Sequence, residues 1–130
     1  MAHPDLVFAC FPRRRARANS PKELHAVEVE TLEGFSIKSI YQAHAQGHGA
    51  DFTWVFTFAG AIEKGDKFDR ILWAAEQTGV GLVKFDKPGA STTYRKLLTA
   101  RRLAANSKER LEFVTRVIGD ADDSELITGS

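Results

Sequence analysis

At 130 residues, 43% hydrophobic and 27% charged, the chain is long enough for one compact domain with a real core and too short for two. Eighteen basic against seventeen acidic residues leave a net charge of +1, so no global field draws the protein to nucleic acid or membrane, and any such preference has to come from a local patch. The lone cysteine, Cys10, forms no internal disulfide and no Cys/His spacing matches a zinc site; with no apolar run of about 18 residues and no signal-peptide h-region, the expectation is a reducing, cytoplasmic setting.

In chain order, the apolar run DLVFACF at 5–11 reads as a strand ending at Pro12. A polar segment, RRRARANSPKE, loops to a second strand, LHAVEVET at 24–31. With no helix between them, these two strands pair most simply as an antiparallel hairpin. A helix then follows Ser36, with Ile37, Ile40, Tyr41 and His44 on one face, and ends in the glycines of QGHG. DFTWVFTF at 51–58 is aromatic and β-branched, the clearest strand of the sequence. A helix over 66–78 buries Phe68, Ile71, Leu72 and Ala75 and is closed by Gly79; VGLVKFD at 80–86 is the next strand. Residues 91–118 read as two helices broken near Asn106-Ser107, with Ser107 as an N-cap. The expected organisation is one domain over 1–119 and a flexible tail over 120–130. Strands alternating with helices predict an α/β fold, a mixed β-sheet flanked by helices.

Within the second strand, Ala26, Glu28 and Glu30 point one way and His25, Val27 and Val29 the other. Two carboxylates about 7 Å apart on one face repel, and burying either alone is costly. Either that face is open to water at a sheet edge, or something positive, such as a divalent metal, sits beside it. A third carboxylate, Asp5, opens the preceding strand, and a hairpin brings it alongside Glu28.

Pro4-Asp5, then Glu28-Val29-Glu30 across a hairpin, then a helix holding Gln42, resembles the motif set of the PD-(D/E)XK nuclease superfamily, which includes restriction endonucleases, Holliday-junction resolvases and RecB-type nucleases. The matched segment runs from about residue 4 to 58, with the helix and strand at 66–86 in keeping with that core. The resemblance implies a restriction-endonuclease-like core and a metal-dependent endonuclease acting on DNA with Mg2+ or Mn2+. Asp5 and Glu28 would hold the metal with the carbonyl of Val29, and Asp5, Glu28, Glu30 and Gln42 would form the catalytic set.

Two departures accompany it. The family's usual lysine is Glu30 here, which could bind a second metal or orient water. The helix and strand that normally precede the Pro-Asp strand are missing from this sequence, which implies a reduced fold, a longer parent protein, or a partner chain such as a second copy in a homodimer.

Arg13, Arg14, Arg15 and Arg17, in the loop between the two motif strands, are candidates to grip DNA phosphates; a solvated loop is the plainer alternative. Arg95, Lys96, Arg101 and Arg102 form a second basic cluster. His44 and His48, four apart, could be metal ligands on a helix, but His48 falls among the glycines that end it, which weighs against that role; Trp54 and Trp73 read as packing residues, and Asp51 as a turn residue. The competing function is a catalytically inactive nuclease-like module that binds nucleic acid or a protein partner.

Overall fold

A computed structural model of the chain describes residues 4–10, 23–31, 35–58, 65–85, 94–103, 106–120 and 126–129. Six strands, β1 (Leu6–Cys10), β2 (Glu23–Glu30), β3 (Phe52–Phe58), β4 (Gly81–Phe85), β5 (Tyr94–Leu98) and β6 (Leu126–Gly129), form one sheet in the order β5-β4-β3-β2-β1-β6. Helices α1 (Ile37–Gln46) and α2 (Asp66–Thr78) carry the chain between the parallel strands β2, β3 and β4, and α3 (Ser107–Asp120) follows β5. The sheet is mixed, as expected: β1 runs antiparallel to β2, and β5 antiparallel to β4.

Burial identifies the helical face. Val55 of β3 and Leu82 of β4 share a core with Ile40 and Ala43 of α1 and Ile71, Ala74 and Ala75 of α2. Val7 of β1 and Leu24 and Ala26 of β2 form a second core with Phe113 and Val117 of α3. Since Val7 pairs with Ala26, and Glu28 with Val55, all these residues lie on one side of the sheet, and all three helices pack there. The opposite side carries His25, Phe52 and Trp54, whose rings stack, and Phe56, Phe85 and Tyr94. Trp54 lies against Gly81, where an added Cβ would collide with the indole, so only glycine admits the ring there.

The elements depart from the sequence reading in several places. Residues 94–98 are strand β5, not helix: Leu97 and Leu98 pack on the core beside Leu82, and tertiary pairing overrides helical propensity. The cap of α3 is Asn106 rather than Ser107, because Asn106 Oδ1 accepts the Glu109 N–H at 2.8 Å while Glu109 Oε1 accepts the Asn106 N–H at 3.2 Å, a reciprocal box. On α1 the buried face is Ser39, Ile40, Ala43 and Gln46, and Ile37, Tyr41 and His44 are exposed. Small side chains bring this helix close to the sheet, where Gly47 leaves no room for a Cβ beside Thr53. Residues 126–129, expected to trail, add to the free edge of β1 as a parallel strand. Trp73 is 56% exposed and is not the packing residue its helical spacing suggests.

The amino ends of β2 and β3 are tied together by Asp51, buried at the mouth of β3. Its Oδ2 accepts the Leu24 N–H at 2.8 Å and meets Arg110 Nη2 of α3 at 3.1 Å. Its Oδ1 faces Arg102 Nη2 at 3.7 Å, and its backbone forms hydrogen bonds with Leu24 and Leu103. Arg102 also reaches Glu23 and lies over the Phe52 ring. Asp51 is therefore a structural joint, not a simple turn residue.

Candidate functional site

At the opposite ends of these strands the acidic residues collect. The β1–β2 register pairs Leu6 with Val27, and Asp5 is the residue just before Leu6. It reaches β2 through its side chain, for Asp5 Oδ2 accepts the Val29 N–H at 2.8 Å. In an extended strand the N–H and C=O of one residue point to the same neighbour. The Val29 carbonyl is thus directed to the same edge as Asp5, where the residue opposite is Pro4, which has no N–H to donate.

The three acids differ in setting. Asp5 is exposed, Glu28 is 7% exposed, and Glu30 lies between these extremes. Burial, and then the charge of Asp5, push the Glu30 carboxyl above its ordinary value, while a hydrogen bond from the Ser39 hydroxyl works the other way. Ser39 Oγ in turn accepts the Ser36 N–H at 3.1 Å, so the start of α1 is coupled to the end of β2. Thr57, the register partner of Glu30, completes this corner; it is buried, and its hydroxyl has no hydrogen-bond partner among the described residues.

The Asp5 carboxylate therefore reaches the end of β2 that carries Glu28, Val29 and Glu30. Gln42 is on the exposed side of α1, one turn beyond Ser39 and at the rim rather than on the buried face. Sequence reasoning missed Ser39, whose only signal was a serine three residues after an N-cap serine. His44 is exposed, and His48 pairs with Glu109 at 3.0 Å, away from the carboxylates. Arg13, Arg14, Arg15 and Arg17 lie outside the described residues.

Among the described residues, no three His, Cys, Asp or Glu side chains are close enough to hold a metal ion between them. The donors available here are two carboxylates, Asp5 and Glu28, with a backbone oxygen. That set suits a hard cation that keeps water in its remaining positions. No described helix is long and apolar enough to cross a membrane. No protein-family model, curated protein or solved structure matches this chain.

Proposed function

We propose that the protein is a metal-dependent nuclease of the PD-(D/E)XK type, hydrolysing DNA phosphodiester bonds. The observation that carries this reading is the antiparallel pairing of β1 with β2, with the Asp5 carboxylate accepting the Val29 N–H, one residue from Glu28. The order β1, β2, α1, β3, with β3 parallel to β2, supports the restriction-endonuclease-like core. The parallel strand β6 beside β1 is this chain's own addition to that edge.

The residues fit a Mg2+ or Mn2+ ion. Asp5 and Glu28 would hold it with the Val29 carbonyl, and neighbouring carboxylates become favourable once a dication sits between them. When bound, such an ion acidifies a coordinated water and neutralises charge developing on the phosphoryl oxygens. The protein's own part is positional. Asp5 is held by the Val29 N–H, and Glu30, fixed by Ser39, can accept a hydrogen bond from water at the rim. Gln42 is close enough in sequence and on the helix surface to orient water or DNA backbone from the same rim.

The test is plasmid nicking in Mg2+ or Mn2+. Wild type should nick, and Glu28→Ala should lose at least about a hundredfold in rate, since one misplaced catalytic group already costs that much, while its circular dichroism stays native. Absence of nicking with every divalent ion tried, or full activity in Glu28→Ala, defeats the proposal. Glu30, bound to a serine where the motif has lysine, favours a second reading, a noncatalytic nucleic-acid-binding module. DNA binding that persists in the complete absence of cleavage selects it.

A further inference from the structure

All three helices lie on one side of the sheet, yet its central strands carry apolar side chains on both. Strands β2, β3 and β4 are parallel, and parallel strands are ordinarily covered on both faces. No described helix packs on the side away from the cores. There Trp54, Phe56 and Phe85 are only half-buried, Val29 is 41% exposed and Tyr94 69%. The smaller Val27 and Val83, register neighbours of Trp54 and Phe56, are buried beside those rings.

The charged groups of this face stand at its margins. Glu23 and Arg102 meet at the amino end, where Glu23 also holds His25 and Arg102 also faces Asp51, while Lys96 is on the edge strand β5 opposite Val83. An apolar centre inside a polar rim is the anatomy of a protein–protein interface. A nucleic acid would need cations over the centre, and among the described residues none is there. Five spacings of about 4.8 Å across six strands, by about five residues of about 3.3 Å along them, give roughly 400 Å² before the relief of the rings is counted. Two such faces together bury on the order of 1,000 Å², the lower bound for a specific interface.

We infer that a second copy of the chain docks on this face, sheet on sheet, as a weak and reversible dimer. The face suits its own image. Packed sheets keep their strands within about 30° of one another, and a twofold axis along the strands, between β2 and β3, lays β3 of one copy over β2 of the other. Phe56 of one copy then meets Val29 of the second, its register partner within the chain, where a smaller side chain leaves room for the ring. The same operation sends the two β5 strands to opposite margins, so the Lys96 ammonium groups stay apart. Glu28 shares the helical side with Val55, so docking leaves the carboxylates open, and the dimer stands apart from the nuclease reading.

The experiment is sedimentation equilibrium of the full chain from about 1 to about 200 μM, a range that brackets micromolar affinity. Wild type should rise from its 14.4 kDa monomer toward twice that mass. Val29→Lys, a charge beside the twofold axis, should raise the dissociation constant about tenfold or more, and Tyr94→Glu, nearer the margin, by less. Both side chains are exposed, so circular dichroism should stay native. Trp73→Glu, equally exposed but on α2, should associate like wild type. A wild type that stays monomeric at the highest concentration overturns the inference, as does a dimer indifferent to both Val29→Lys and Tyr94→Glu. Association lost in Trp73→Glu but kept in Val29→Lys puts the contact on the helices and overturns it too. Nicking by a monomeric wild type strikes the dimer and leaves the nuclease; a dimer broken by Val29→Lys, with no nicking in any divalent ion, does the reverse.

Discussion

The two ends of the parallel strands treat acidic residues in opposite ways. At the amino ends, Asp51 is buried against a backbone N–H and Arg110, with Arg102 close by, and Glu23 is paired with His25 and Arg102. At the carboxyl ends, burial and then the charge of Asp5 raise the proton affinity of Glu30. A buried carboxylate with matched donors holds a fold together, while carboxylates set beside one another oppose it until a counter-charge arrives. The first end is built for stability; the second is where the proposed metal would sit.

Removing the joint should show the largest effect. Asp51→Ala takes from Arg110 its carboxylate partner and from the Leu24 N–H its acceptor, and should lower unfolding free energy by about 3 kcal/mol in a urea titration. A loss below about 0.5 kcal/mol, typical of surface substitutions, would erase the contrast. At the other end, Asp5→Asn keeps an oxygen for the Val29 N–H but removes a charge. The Glu30 titration, followed by carboxyl NMR in chelator, should move down toward its ordinary value of 4.5, and an unmoved titration would separate the two acids.

The smallest effect should be Glu30→Gln in metal-free protein. Because folding raises the Glu30 pKa, the native state binds its proton more tightly than the unfolded chain does. That favourable contribution is complete below 4.5 and is lost as pH rises through the folded value. Glutamine removes this loss, so the variant should be slightly more stable than wild type at neutral pH and lose that advantage in acid. Equal stabilities at both pH values would mean that Glu30 is not strained in the fold.

Much of this was legible in the order of residues. The alternation of Glu28 and Glu30, and the hairpin that pairs β1 with β2, needed only the two-residue period of a strand and the absence of a helix between two strands. The helices at 37–46 and 66–78 announced themselves through Ser36, Gly47 and Gly79. What escaped was long-range. Nothing local marks YRKLL as a strand, because its pairing with β4 and its leucines' packing decide it. The polar inner face of α1 escaped because Ser39 is buried by its bond to Glu30 rather than by hydrophobicity. Asp51 looked like a turn residue because its two arginines, Arg102 and Arg110, lie far along the chain.

That separation bears on how the molecule assembles. The segment β2-α1-β3-α2-β4 connects neighbours in space through neighbours in sequence, so it can form early at modest entropic cost. Clasping Arg110 to Asp51 closes a loop of 59 residues, a step whose entropy is recovered only after both cores exist. The clasp therefore acts as a latch set late in folding, one that slows escape from the native state more than it speeds arrival there.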